Sequence, residues 1–241
     1  MMPKLRKLDT SQSSATSALE PLADYDLVLR VLEQGDAAAF ELIMRRHNQY
    51  LYRLARSILK NPTDAEDVVQ ETYVTAFQKL ESFRGPSGFS AWLAKIALNL
   101  AYRRVRRRGR VVFFEDFVSP PNGGGDPLFS RIENIESSEP DPELNVQIAE
   151  LRRLLEDAID TLPVDFRTVF VLAKVEGQSI KEIAETLSLN EQTVKTRLYR
   201  AKQKLKEFLG DAFQELVPSL HSFAGERCDR IVTRVLDKLI R

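Results

Sequence analysis

The side chains best suited to recognition chemistry lie at the start of a basic helix predicted to follow Asn190, which can cap it. Amides, hydroxyls and cations on one side of such a helix can bond the base edges and phosphates of DNA in the major groove. They are Gln192, Thr193, Lys195, Thr196, Arg197 and Arg200. Upstream, Ser179 and Glu182 fit a capping box that begins a shorter helix. The pair predicts a helix-turn-helix, although an αα-hairpin with a solvated basic face would share the pattern.

A second polar face is predicted on a helix from Ser90 to about residue 108. Its members recur at i, i+3, i+7, i+11 and i+14 and are Trp92, Lys95, Asn99, Arg103 and Arg106. An aromatic ring can stack on a base, an amide can bond a base edge and cations can hold phosphates, so the face suits melted DNA. The alternative is that Trp92 is a core residue. Inward packing is expected of Leu93, Ile96, Ala97 and Leu100.

An acidic face precedes these residues, with Asp64, Asp67 and Glu71 at i, i+3 and i+7 and Glu66 and Gln70 beside them. It is either a solvated face or a docking site for a basic partner, and we expect the domain's own core not to need it. Metal binding is disfavoured because no His or Cys lies nearby. Thr63 and Glu66 fit a capping box for this helix, whose buried side is predicted to be Val69, Tyr73, Ala76 and Leu80.

Catalytic signatures are missing from the sequence: it has no phosphate loop, nucleophile elbow or metal-ligand cluster, so we expect a binding protein without cofactor or metal. His221 and Cys228, the single cysteine, would need further donors to form a zinc site. No apolar run is long enough to span a bilayer, and residues 1–23 lack the apolar core of a signal peptide. These features predict a cytoplasmic protein with a disordered leader and no membrane insertion.

Charge is segregated along the chain although 35 basic residues balance 35 acidic ones. Basic residues dominate from Phe89 to Arg110 and from Asn190 to Lys206, while acidic residues dominate from Glu115 to Glu143. This pattern indicates two nucleic-acid surfaces joined by an anionic segment.

Outside residues 110–141, where the pattern breaks, apolar residues recur at three and four positions, which predicts an all-α protein of two small helical domains. The expected segments are a leader at 1–23, a first domain at 24–110, a flexible acidic Pro/Gly-rich linker at 111–141, a second domain at 142–209 and a helical extension at 210–241. Asp141 can cap the first helix of the second domain, with Pro142 at its first position. In the extension, Phe213 to Phe223 and Ile231 to Leu239 predict two amphipathic helices. They either pack on the protein's own helices or form a regulatory patch.

Two stretches carry a resemblance to a known family. DAEDVVQETYVTAFQKLESFRG with SAWLAKIALNLAYRRVRRR resembles region 2 of the extracytoplasmic-function (ECF) subgroup of the sigma-70 family, and LPVDFRTVFVLAKVEGQSIKEIAETLSLNEQTVKTRLYRAKQKLKEFL resembles its region 4. The resemblance implies a transcription initiation factor that binds core RNA polymerase through the β′ clamp coiled coil and the β flap, binds promoter DNA and has an anti-sigma factor as a partner. The acidic linker would thread the polymerase's RNA channel.

The resemblance also implies residue roles. Polymerase binding falls to Asp64, Glu66, Asp67, Gln70 and Glu71. Contacts with the −10 element, including a loop that captures a flipped base, fall to Phe83, Arg84, Phe89, Trp92, Lys95, Asn99, Arg103 and Arg106. Contacts with the −35 element fall to Gln192, Thr193, Lys195, Thr196, Arg197, Arg200 and Lys204. The loop carries Pro86 and Ser87 where relatives often have an acidic residue.

Two other classes of protein remain as alternatives at this point. One is a helix-turn-helix regulator that binds duplex DNA without polymerase, which leaves the loop and the Trp92 face unexplained. The other is an enzyme with a DNA-binding appendage.

Overall fold

A computed structural model describes residues 19–85, 88–107, 153–209 and 230–236. All regular structure in these ranges is helical, which confirms the all-α prediction. The helices are α1 (Asp24–Gln34), α2 (Ala37–Leu59), α3 (Pro62–Gln78), α4 (Phe89–Arg107), α5 (153–161), α6 (Val164–Lys174), α7 (Ile180–Leu187), α8 (Glu191–Leu209) and α9 (230–236), with a 3₁₀ turn at Leu80–Ser82. The chain forms two compact units: α1–α4 with α9, and α5–α8.

Helix α2 is the centre of the first unit, and α1, α3 and α4 all pack against it. Asp36 caps it by accepting hydrogen bonds from the amides of Ala38 and Ala39 at 3.0 and 3.1 Å. Apolar side chains are buried around much of its circumference, among them Phe40, Ile43, Met44, Leu51 and Leu54. Each such side chain contributes about 1.5–3 kcal/mol, against about 0.2–1 kcal/mol for an exposed ion pair. Burial of α2 therefore dominates the stability of this unit.

Helix α3 begins differently from the sequence prediction. Asn61, not Thr63, is the cap: its side chain accepts from the amide of Asp64 at 3.0 Å, and Pro62 occupies the first turn. The predicted capping box between Thr63 and Glu66 is therefore wrong. The physical reason is that Pro62, which lacks an N–H, is well suited to the first helical position and shifts the start towards Asn61.

The buried side of α3 matches the prediction, with Val69, Tyr73 and Ala76 inaccessible to solvent. Tyr73 completes the packing by donating its hydroxyl to the carbonyl of Met44 at 3.1 Å. Leu80 is buried too, but it belongs to the 3₁₀ turn rather than to the helix.

The end of the predicted leader is packed. Leu19 is buried, and Arg46 of α2 donates to the carbonyls of Glu20 and Leu22. The prediction of disorder up to residue 23 is therefore wrong for 19–23, because sequence pattern did not reveal the partner arginine on α2.

The second unit is built on a core shared by α5, α6 and α8, which includes Leu155, Ile159, Phe170, Ala201 and Leu205. The capping box at α7 is confirmed: Ser179 N–H donates to Glu182 Oε2 at 2.8 Å, and the Glu182 amide donates to Ser179 Oγ at 3.2 Å. The hydrogen bond from the Ser179 backbone to the carboxylate, helped by the Ser179 side chain, holds the pKa of Glu182 below its usual value.

Several expectations fall outside the described residues. They concern the linker at 111–141, Pro86 and Ser87, the Asp141 cap, the helix from Phe213 to Phe223, and His221 with Cys228. Within the described ranges, no helix is long and apolar enough to cross a membrane. The same ranges contain no group of three or more side chains arranged to hold a metal ion.

Asp24 connects the start of α1 to α2. Its carboxylate lies 2.8 Å from His47 Nε2 and 3.1 Å from Arg46 Nη1. The hydrogen bond with His47 is the largest cause that lowers the pKa of Asp24 below 3.8, partly offset by burial. A lowered pKa means that the carboxylate stabilises the fold above pH 3.8, and that this stabilisation fades as the pH falls through the folded-state pKa.

We expect Asp24→Asn to lower the free energy of unfolding by about 1 kcal/mol at pH 5, below the usual 1.5–3 kcal/mol for charged hydrogen bonds because Asp24 is partly exposed. Below pH 3.8 the difference should shrink progressively. Urea unfolding followed by circular dichroism between pH 5 and pH 2 measures it. Asp26→Asn, an exposed carboxylate in the same turn, is the control and should change little. An Asp24→Asn deficit that is independent of pH would contradict the ionic contribution.

Candidate polymerase-docking and nucleic-acid surfaces

Three carboxylates of α3 form an acidic stripe, Asp64, Asp67 and Glu71, that lies along the basic side of α4. Arg104 Nη2 lies 3.2 Å from Asp64 Oδ1 and 2.8 Å from Asp67 Oδ2. Arg103 Nη2 donates to Glu71 Oε1 at 2.7 Å. Asp67 and Glu71 remain substantially exposed, so the stripe is accessible to a partner while its charge is partly neutralised within the domain.

Three of the five residues assigned to polymerase binding are not at the surface, and one of them is Asp64 of the acidic stripe. Asp64, Glu66 and Gln70 are all buried, with Gln70 only 4% exposed. The expectation that the domain's own packing does not need the acidic face is therefore wrong at these three positions. The sequence pattern missed this because a carboxylate or amide on a helix face does not reveal whether another segment covers it.

Helix α4 presents the predicted polar face to solvent. Lys95, Asn99, Arg103 and Arg106 are exposed, whereas Trp92 is half-buried. The inner side holds Leu93, Ala97 and Leu100 as predicted, but Ile96 is only partly buried.

A groove of about 260 Å³ lies on this face. Its walls come from α4 and from the end of α3, and they are Thr75, Lys79, Ile96, Asn99, Leu100 and Arg103. Thr75 and Lys79 were not anticipated as site residues, although they follow Glu71 at i+4 and i+8 and so continue the side of α3 that carries the acidic stripe. Ile96, expected to point inward, instead supplies apolar wall beside an amide and two cations. Such a groove can hold a flat, polar-edged group such as a base.

Rings at both ends of the 83–89 loop pack together into what we call the aromatic cluster. Phe83 lies 5.0 Å from Phe89 and 5.5 Å from Trp92, and Phe89 stacks on Trp92 at 5.6 Å between ring centroids. His47 of α2 contacts the Phe89 ring edge-to-face at 5.7 Å. The cluster therefore ties the loop to both α2 and α4.

Direct DNA contact by Phe89 is not supported by this geometry, because its side chain is only 4% exposed. The assignment is corrected to a positioning role for Phe89, while Phe83 and Trp92 are half-buried and Arg84 is exposed. The loop itself turns at Gly85 and Gly88, whose φ angles are 101° and 80°. Residues other than glycine are strained at such positive φ angles, so the turn requires glycine at both positions.

Helix α8, which the sequence predicts to be a recognition helix, begins where it was expected. Asn190 Oδ1 accepts from the amide of Thr193 at 2.6 Å, and Ser188 ends α7 in a left-handed conformation. Gln192, Lys195 and Lys204 are exposed, and Thr193, Thr196 and Arg200 are half-buried. Val194, Ala201 and Leu205 face the core, with Leu198 packed partly against it.

Arg197 lies in a different environment from its neighbours. Its Nη2 is 3.3 Å from Oδ2 of Asp165, a carboxylate on α6 that is almost fully buried. Arg197 therefore stabilises the packing of α8 on α6 as well as lying on the helix assigned to DNA. The sequence did not show this, because Asp165 is 32 residues away and its burial depends on the fold.

Tyr199 is a candidate that the sequence prediction omitted. Its ring is 46% exposed and lies at i+7 from Gln192 and i+4 from Lys195, on the same side of α8. An exposed aromatic ring beside cations suits contact with sugar and base surfaces of nucleic acid. The helical spacing alone would have identified it.

Both units are similar to known protein families. Residues 43–111 match the profile of Sigma-70 region 2, and residues 152–205 match that of Sigma-70, region 4. An ECF RNA polymerase sigma-E factor of Haemophilus influenzae is 35% identical over 188 residues, which cover 78% of this chain and 95% of that protein. The chain belongs to the ECF subgroup of the sigma-70 family. Like other members, it is a non-catalytic factor for promoter-specific transcription initiation by RNA polymerase.

Further relatives agree with this membership. ECF RNA polymerase sigma factor SigE of Mycolicibacterium smegmatis is 33% identical over 188 residues, covering 77% of this chain and 68% of that protein. Among solved structures, CnrH in complex with the cytosolic domain of CnrY is 28% identical, with a TM-score of 0.51 over 78% of this chain and 97% of that one.

Arg197 and Lys195 should differ in what they contribute to this sigma factor. We expect Arg197→Ala to lower the stability of the second unit by about 1–3 kcal/mol, because the buried Asp165 carboxylate loses its partner. Lys195→Ala should leave stability unchanged, weaken duplex DNA binding and reduce the salt dependence of affinity by about one unit of slope, as expected for one phosphate contact. Thermal unfolding and salt-dependent binding titrations measure the two effects. Equal melting temperatures for both variants would contradict the structural role of Arg197.

Proposed function

We propose that this sigma factor docks on the β′ clamp coiled coil of core polymerase through α3, contacts the −10 element with α4 and the 83–89 loop, and contacts the −35 element with α8. The groove of α4, in which Asn99 and Arg103 line a base-sized space beside the acidic stripe, is the observation that carries the proposal. Region 4 also contacts the β flap, and the protein acts in the cytoplasm without a metal or cofactor of its own.

Docking through α3 is supported by the exposure of its charges. The side chain of Asp67 is 41% exposed and that of Glu71 is 48% exposed. Ion pairs with this exposure contribute about 0.2–1 kcal/mol each. A basic partner can therefore pair with Glu71 in place of Arg103, or with Asp67 in place of Arg104, at little cost to the domain, while Arg104 keeps its pair with the buried Asp64.

Contact with the −10 element is supported by the arrangement around the groove. Asn99 can donate to and accept from a base edge, while Lys95, Arg103 and Arg106 are exposed along the same helix and can hold phosphates. The half-buried rings of Phe83 and Trp92 lie where α4 begins. This combination of one amide, several cations and aromatic rings favours single-stranded DNA over a duplex-only regulator.

Melting follows from these contacts energetically. Extruding a base costs a few kcal/mol, and stacking on an aromatic ring returns about 1–3 kcal/mol per base. The sigma factor supplies this binding energy, while the polymerase supplies catalysis.

Contact with the −35 element is assigned to the exposed side of α8. Gln192, Lys195 and Lys204 are exposed there, and Tyr199 extends the same surface. An anti-sigma factor is a further proposed partner, supported by the similarity to CnrH, whose structure was solved in complex with the cytosolic domain of CnrY.

Docking on polymerase can be tested with two variants that disrupt the same internal ion pair. We expect Asp67→Asn to weaken binding to core polymerase by about tenfold, in line with coupling energies from about 1.5 kcal/mol for close interfacial charge pairs. Arg104→Gln removes the other half of the pair, and the pair with Asp64 as well, but keeps both carboxylates. It should not weaken binding. Equilibrium binding to immobilised core polymerase without DNA measures both, and equal losses would show that the ion pair serves the fold alone.

Strand opening should depend on Asn99 more than closed-complex formation does, because displaced bases need new partners on the protein. We expect Asn99→Ala to slow opening of a duplex promoter by about tenfold, equivalent to about 1.4 kcal/mol. A promoter pre-melted across the −10 element should recover part of the rate, since the unpairing cost is already met. Gln78→Ala removes an exposed amide at the end of neighbouring α3 and is the control. Fluorescent-base opening kinetics measure the rates. A normal rate for Asn99→Ala on duplex DNA would contradict the assignment of Asn99 to the −10 element.

A further inference from the structure

Helix α9 packs within the first unit, far in sequence from the helices it joins. Ile231, Val232 and Val235 are buried, while Thr233 and Arg234 are exposed. Spacing at i, i+1 and i+4 puts the three apolar residues on one side, so α9 is attached through an apolar face. The packing of residues 231–235 on the protein's own helices, one of the two alternatives left open by the sequence, is the arrangement found.

Arg230, the first described residue of α9, binds a residue of α3 that we assign to polymerase docking. Its Nη2 donates to Glu66 Oε1 at 2.7 Å, and its Nε donates to Oε2 at 3.0 Å. Two parallel bonds from one guanidinium to one carboxylate are a strong and geometrically specific pair. The Glu66 side chain is only 8% exposed, whereas that of Arg230 is 45% exposed.

The pair with Arg230 supports the burial of Glu66. A carboxylate removed from water is costly unless it is paired and hydrogen-bonded. Loss of Arg230 therefore destabilises the present environment of Glu66, and a basic partner that approached the same two oxygens in the same way would have to displace the Arg230 guanidinium.

Gln70 shows that one buried hydrogen-bond donor on α3 near Glu66 lacks an acceptor within the described part of the chain. It lies one helical turn after Glu66 and is 4% exposed, and its Nε2 has no hydrogen-bond partner among the described residues. An unpartnered buried donor favours any rearrangement that returns it to water or gives it an acceptor. Loss of the Arg230–Glu66 pair, one helical turn earlier, would allow such a rearrangement.

We propose that α9 is an internal competitor of core RNA polymerase for the Glu66–Gln70 side of α3, and that polymerase binding requires α9 to be displaced. This proposal rests on the proposed docking through α3. Covalent attachment keeps α9 at a high effective concentration, so a modest contact suffices to occupy the surface most of the time. The apparent affinity for polymerase is then reduced by the fraction of molecules in which α9 is displaced.

The test compares variants of the full-length protein for binding to core polymerase without DNA. Arg230→Ala removes the pair with Glu66 and should tighten binding by about tenfold, as expected if about one molecule in ten is open in the parent. Val235→Asp disrupts the apolar attachment while retaining Arg230, and it should act in the same direction. Arg234→Ala, an exposed arginine one turn later on the same helix, is the matched control and should have no effect.

Asp67→Asn, measured in the same assay, separates this proposal from docking itself. If Asp67→Asn weakens binding while Arg230→Ala and Val235→Asp leave it unchanged or weaken it, docking stands and the competition is overturned. If Asp67→Asn has no effect but the α9 variants tighten binding, α9 competes with polymerase at a surface other than the acidic stripe, and docking through the stripe fails.

Hydrogen–deuterium exchange of the complex gives a second readout that does not depend on a variant folding. Amides of 230–236 should lose protection when core polymerase binds. Protection that is retained or increased in the complex would overturn the competition.

Discussion

The pairing of charges between α3 and α4 constrains every surface that we assign to the first unit. Arg104 lies between Asp64 and Asp67, and Arg103 bonds Glu71. Carboxylates assigned to polymerase are therefore partly neutralised by arginines of α4, and one of these arginines, Arg103, is also assigned to DNA. The ion pairs between the two helices thus offset the repulsion among like charges within each helix. Because the exposed pairs are individually weak, they can exchange for a partner's charge without disturbing the apolar core around α2.

In the second unit, the two sides of α8 have different roles. One side of the helix closes the core through Val194, Ala201 and Leu205, and Arg197 anchors it to α6 through the buried Asp165. The other side is left to Gln192, Lys195 and Tyr199. A single helix thus has residues that fix its position and residues that are free to meet DNA, and the two sets differ in their expected effect on stability.

Local patterns in the sequence predict most of the helices and the faces they bury. The cap at Ser179, the break at Ser188 and the buried side of α3 depend on near neighbours, and all were predictable from spacing. The failures share a physical cause: the partner is distant in sequence. Nothing near Glu66 indicates Arg230, nothing near Arg197 indicates Asp165, and nothing near Leu19 indicates Arg46. The Asn61 cap is the local exception, where a proline competed with an equally plausible capping box.

The first unit is discontinuous in sequence, since α9 joins α1–α4 across the whole of the second unit. Arg230 and Glu66 are 164 positions apart. At about 5–20 residues per second, a ribosome reaches Arg230 roughly 8–33 seconds after Glu66. During that interval the nascent α3 has left the ribosome without the arginine that pairs with it in the finished fold. A chain still under synthesis therefore exposes a Glu66 carboxylate that the folded protein buries. The surface available to other molecules thus depends on how much of the chain has been synthesised.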